Sequence, residues 1–139
     1  MKHFFLLLVS IYLCSCSTDK EKMQAENDTR EYLQGAAQVA QIEVSGNEYA
    51  YTFKVKIESP DTGCDQYANW WEVVDLDGNL VYRRIVNHSH VTEQPFIRSG
   101  ENIKLSENKE VYVRTHMNNS GYVARAQKGS VKNGFQATE

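Results

Sequence analysis

The sequence predicts an all-β fold, an antiparallel β-sandwich of about seven strands, and three observations carry that reading. Residues 47–59 alternate: Tyr49, Tyr51, Phe53, Val55 and Ile57 are apolar, while Glu48, Thr52, Lys54, Lys56 and Glu58 are polar. A period of two sets one group on a buried face and the other in water. Asp77-Gly78 lies between the apolar stretches 70–74 and 80–86 and is the strongest hairpin signal in the chain. Turn-forming residues recur at spacings suited to short antiparallel strands, and no helical period is sustained beyond a turn near 31–37.

Taken in order, a short strand over 39–44 joins the alternating strand through Ser45-Gly46-Asn47, and Pro60-Asp61-Thr62-Gly63 ends the pattern. Trp70-Trp71-Glu72-Val73-Val74 and 80–86 pair across Asp77-Gly78. The chain then reads as irregular until strands at 102–105, 110–117 and 122–127, the last two linked by Asn118-Asn119-Ser120-Gly121. Neighbouring side chains on a strand point to opposite faces, so one of Trp70 and Trp71 fills the core and the other lies outside. Arg83 and Arg84 divide in the same way. An inward-leaning arginine would need a carboxylate such as Glu72 or Asp75, whereas a solvated one would stack on Trp or Tyr.

A chain of 139 residues holds one domain of ordinary size. Hydrophobic content of 41% and charged content of 24% are globular values. The net charge of −3 gives no electrostatic reason to expect a nucleic-acid partner. Two prolines and eight scattered glycines exclude a Pro-rich stalk and a collagen repeat.

Lys2 and His3 precede an apolar run at 4–13. It is too short to cross about 30 Å of hydrocarbon as a permanent helix and suits the core of a secretory signal. Leu13-Cys14-Ser15-Cys16 resembles the bacterial lipobox, with Cys16 in the register of the lipid-bearing cysteine. The resemblance implies a lipoprotein signal peptide at 1–15 and acyl chains such as palmitate on Cys16. It also implies attachment to a membrane of the bacterial cell envelope, on the periplasmic or the surface face of the outer membrane. Residues 16–36 then form the lipidated cysteine and a polar tether, and 37–139 the sandwich. Ser17-Thr18-Asp19-Lys20-Glu21 is similar to the stretches that mark surface export in Bacteroidota lipoproteins; a solvated tail without an address is the alternative. Cys64 is left without an intramolecular partner, and burial is the commonest fate of such a thiol.

Residues 111–122 resemble the last hairpin of fibronectin type III-like domains, and 70–82 resemble the middle pair of an immunoglobulin-like sandwich. Gly63-Cys64-Asp65-Gln66-Tyr67-Ala68-Asn69-Trp70-Trp71-Glu72-Val73, with Tyr82-Arg83-Arg84-Ile85 and His88-Ser89-His90-Val91, resembles a family of small, uncharacterised bacterial lipoproteins. That family brings no activity with it.

Three histidines lie beyond the signal, two of them in His88-Ser89-His90. Residues two apart on an extended chain share a side, so His88 and His90 can converge on one ion. His116 would be a third ligand, and Cys64 or Glu93 a fourth. Imidazoles with a thiolate or carboxylate suit Zn²⁺ or Cu²⁺. The alternative is three ordinary polar residues. His88, His90, Glu93, Gly100 and His116 also resemble the cupin motifs, which would make His88, His90, Glu93 and His116 the ligands of a metalloenzyme. The spacing between His90 and Glu93 and the missing glycine and Pro-x-Gly elements depart from that pattern. No nucleophile elbow, phosphate loop or His-Glu-x-x-His is present. The expectation is a lipid-anchored binding protein, with a metal module, a cupin-like metalloenzyme and a metal-free envelope-protein interaction domain as its versions.

Overall fold

The computed structural model describes residues 22–24 and 35–138. The lipobox and almost all of the tether lie outside them; residues 22–24 are helical and exposed. The strands are β1 (Gln38–Asn47), β2 (Ala50–Glu58), β3 (Ala68–Asp75), β4 (Leu80–Ile85), β5 (Phe96–Ile103), β6 (Val111–Met117), β7 (Gln127–Ser130) and β8 (Gly134–Ala137). They form two antiparallel sheets, ordered β1-β2-β5 and β4-β3-β6-β7-β8. The chain is a β-sandwich.

The period-two strand supplies the core as its pattern requires. Tyr51, Phe53, Val55 and Ile57 of β2 are buried and face Trp71, Val73, Val111, Val113 and Met117 of the other sheet. Fully burying side chains of this size contributes roughly 1.5–3 kcal/mol each. The Thr115 hydroxyl donates to the Ala37 carbonyl, and Gln127 Nε2 donates to the Val39 carbonyl at 3.0 Å, so hydrogen bonds as well as apolar contacts hold the layers together. Asp61 fastens the crossover after β2: its carboxylate accepts from Ser59 Oγ, Ala68 N and His90 N at 2.5, 3.0 and 2.7 Å.

The structure corrects the predicted elements in three places. The first hairpin turns at Glu48-Tyr49, because Asn47 pairs with Ala50. Tyr49 has φ 64° and is exposed, so it leaves the buried set. Gly46 lies within β1 with φ +99°, where a Cβ would sit 2.7 Å from the Ala50 carbonyl oxygen; its role is close approach inside the ladder. β5 begins at Phe96, inside the stretch read as irregular. One of its inward positions is Gly100, where a Cβ would overlap Tyr82 and Trp71. The strand lacks an apolar signal there because the indole of Trp71 fills the space. The strand expected over 122–127 is replaced by an irregular segment, and a short β7–β8 hairpin turns before Gly134, which has φ +77°. The Asp77-Gly78 turn is as predicted, with Gly78 at φ 86°.

Candidate functional site

The outer face of the five-stranded sheet gathers charged and aromatic side chains. Trp70 and Glu72 are two apart on β3, and Arg114 and His116 two apart on β6, so each pair shares a face. The register sets Trp70 opposite His116, and Glu72 opposite both Arg114 and Arg83 of β4. Trp71 points the other way and is fully buried, so the two tryptophans divide as expected. Arg83 does not lean into the core; it pairs with Glu72 on the outer face.

Glu72 is the centre of the cluster and is only 1% exposed. Arg83 reaches its Oε2 through Nε at 2.8 Å and a terminal nitrogen at 2.6 Å. Arg114 reaches Oε1 through Nε and a terminal nitrogen, both at 2.8 Å. A buried carboxylate is tolerated when charge-assisted hydrogen bonds replace its water. Burial pushes the Glu72 carboxyl up. Hydrogen bonds from Tyr122, Arg114 and Arg83 outweigh that and hold it below the ordinary carboxylate value. The Tyr122 hydroxyl also accepts from Trp70 Nε1 at 3.1 Å.

The aromatic faces are used within the cluster. His116 lies flat on Trp70 with centroids 3.7 Å apart, and the Arg83 guanidinium lies 4.6 Å from a Trp70 ring centroid. Arg114 covers Tyr122 at 4.0 Å. The side chains of Arg83 and Arg114 keep 36% and 34% of their surface exposed above the buried carboxylate. Two cations over one buried anion give this face a net positive character. His116 Nδ1 donates to Asn69 Oδ1 at 2.7 Å. Its pKa is lowered by burial; the Glu72 charge opposes that, and Arg83 and Arg114 add to it.

The predicted metal ligands are not gathered. Among the described residues, no three His, Cys, Asp or Glu side chains are grouped to hold a metal ion. His116 stands on β6 against Trp70, while Cys64 is exposed in the crossover after β2, contrary to the expected burial. His88, His90 and Glu93 lie in the crossover between β4 and β5. The His88 and His90 rings are neighbours at 4.6 Å, so the His-x-His pair does converge locally. His90 is 4% exposed, stacks on Phe96 at 4.2 Å, and meets Arg98 through Nε2. A guanidinium at that nitrogen occupies the lone pair a metal would need. Among the described residues, His90 Nδ1 is buried with no hydrogen-bond partner. The His90 pKa is lowered by burial, then by Arg98 and His88, against smaller opposing effects of Glu93 and Asp61.

Asn69 and Tyr122 were missed in the sequence, as was the joint role of Arg114 and Glu72. The available signal was the pair of i, i+2 spacings, Trp70/Glu72 and Arg114/His116, on two strands predicted to belong to one sandwich.

No family model matches the chain, and no solved structure matches it. It is similar to a protein of Halomicrobium mukohataei named "Putative lipoprotein", with 35% identity over 111 residues. The match takes in 78% of this chain and 54% of that protein, so the chain spans about half the length of the curated relative it matches. Among the described residues, no helix is long and apolar enough to cross a membrane.

Proposed function

We propose that the chain is a lipid-anchored protein of the cell envelope whose sandwich is a binding module, recognising an anionic group on the outer face of its five-stranded sheet. The observation that carries the binding face is Glu72, almost wholly buried, beneath two guanidiniums that each remain about one-third exposed. Each arginine uses Nε and one terminal nitrogen on Glu72, which leaves its other terminal nitrogen to meet an oxyanion from solvent. The anchor is supported by Leu13-Cys14-Ser15-Cys16 and by similarity to a protein named as a lipoprotein. Strand order β1-β2-β5 against β4-β3-β6-β7-β8 supports the immunoglobulin-like class for the domain over 37–139.

Two experiments test this reading. Labelled fatty acid enters the protein in its bacterial host, disappears in Cys16→Ala and persists in Cys14→Ser; label retained in Cys16→Ala contradicts the anchor. Full-length protein in neutral detergent, titrated with polygalacturonate while tryptophan fluorescence is followed, binds the polyanion but not neutral dextran. Affinity falls about tenfold in Arg114→Gln, the loss of one charged hydrogen-bonding contact, and weakens with salt. Binding that ignores both Arg83→Gln and Arg114→Gln, or no binding, contradicts the face.

A further inference from the structure

β4 is the outermost strand of its sheet and pairs with β3 alone. Among the described residues no strand pairs with its second backbone edge, and native proteins usually blunt such edges with charge, proline or a cover. Here the charge is of one sign. Arg83 points to the outer face and Arg84, its neighbour, to the opposite one. Both are exposed, and Leu80 and Ile85 at the two ends of the strand are 54% and 47% exposed.

The charges on the outer face alternate from strand to strand. Arg114 on β6 faces Glu72 on β3, and Glu72 faces Arg83 on β4. The next position in that row lies one strand spacing beyond β4, about 4.8 Å further. A negative charge there continues the series and meets Arg83 on the side away from Glu72. A second copy of β4 does not satisfy it: the strand Leu80–Ile85 carries Arg83 and Arg84 and no acidic residue, so it offers no carboxylate to continue the series.

We propose that β4 accepts an extended acidic polypeptide segment of a partner as an added strand. Two consecutive carboxylate side chains of that segment meet Arg83 on the outer face and Arg84 on the other, and flanking apolar residues cover Leu80 and Ile85. Main-chain hydrogen bonds to the open edge supply affinity, and the alternating side chains supply selectivity. The proposal rests on the reading of the outer face as anion-recognising and adds the partner's chemistry and its docking geometry.

The test uses full-length protein in neutral detergent and the capped peptide Ser-Val-Thr-Thr-Glu-Glu-Val-Ser, measured by calorimetry and by amide hydrogen exchange. The acidic peptide binds at least about tenfold more tightly than its counterpart with Lys-Lys in place of Glu-Glu. It slows exchange in β4, and N-methylation of its alternate amides abolishes binding. Arg84→Gln, an exposed change outside the Glu72 cluster, lowers affinity several-fold with an unchanged melting temperature; Arg83→Gln does the same or more, with folding checked alongside. Failure of the Glu-Glu peptide to bind overturns the proposal. So does equal binding of the N-methylated peptide, which would reduce the effect to charge attraction, or wild-type affinity for the peptide in both Arg83→Gln and Arg84→Gln. If polygalacturonate binding still depends on Arg83 and Arg114 while the peptide fails, the edge is wrong and the face stands; if both fail, both fall.

Discussion

Two regions are built from the same chemical vocabulary and come to opposite uses. The outer face combines an aromatic residue, a histidine, a carboxylate and arginine in Trp70, His116, Glu72, Arg83 and Arg114. The crossover between β4 and β5, with the start of β5, combines them in His90 and Glu93 of the crossover and Phe96 and Arg98 of the strand. On the sheet the carboxylate is buried and the arginines reach out. In the crossover the histidine is buried, and the Glu93 side chain is 61% exposed at 3.5 Å from Arg98. Which member is taken out of water decides what the cluster offers. A buried carboxylate fixes two cations at the surface, whereas a buried histidine packs a loop and offers solvent little. The difference also shows in satisfaction: Glu72 accepts hydrogen bonds at both oxygens, while His90 Nδ1 has no partner among the described residues.

The largest expected effect follows from that contrast. Removing one partner from a buried ion network costs roughly 3–5 kcal/mol when the remaining charge stays buried. Because Arg83 and Arg114 can turn to water, Glu72→Ala should cost about 2–3 kcal/mol by urea unfolding. Glu93→Ala should cost less than about 0.5 kcal/mol, as for an exposed pair. Equal costs would erase the distinction between the two regions.

Acid should act on the two regions in sequence. His90 has a folded-state pKa below its ordinary value, because burial and then Arg98 and His88 disfavour its charged form. Its contribution to stability is complete above the unfolded value near 6.5 and is lost as pH falls from there toward the folded value. Glu72 has a folded pKa below the ordinary carboxylate value, so its contribution is complete above the unfolded pKa and is lost only as pH falls through the folded one. Unfolding midpoints measured across pH should therefore decline in two stages, with His90→Gln flattening the first and Glu72→Gln the second. A first stage that survives His90→Gln, with His116 also replaced, would contradict the assignment.

How much of this was legible can be argued from particular residues. Strand β2 and the division of Trp70 from Trp71 followed from period two, and the middle hairpin from the Asp77-Gly78 turn residues. β5 was not legible, because Gly100 yields its place to Trp71 and Tyr82 from elements remote in sequence. β7 and β8 were missed although Asn133-Gly134 signals a turn, because 127–130 carries no large apolar residue and Phe135 and Ala137 alternate over too short a stretch to read as a strand. The arginine pairing with Glu72 and the stacking on Trp and Tyr were legible as chemistry. That they belong to one cluster depends on β3 lying between β4 and β6, which only the register supplies. The placement of the histidines was illegible for the same reason: His88 and His90 meet locally, but His116 belongs to the sheet.

A smaller effect sharpens the fate of that set. His116 is committed to Trp70 and Asn69, so any shift of the melting temperature by Zn²⁺ should be the same in wild type and His116→Ala, after allowing for the variant's own stability. A zinc-dependent shift lost in His116→Ala would restore the three-histidine site.

The central claim is that Glu72 lies beneath the binding face and only partly neutralises it, so that the exposed guanidiniums remain available to an anion. The most direct measurement is the affinity of full-length protein for polygalacturonate at low salt, wild type against Glu72→Gln, well below both melting temperatures. Glutamine keeps a hydrogen-bonding oxygen but removes the compensating charge. The account predicts tighter binding by the variant, by several-fold, with a steeper salt dependence. Unchanged or weaker binding in a folded Glu72→Gln protein would contradict it.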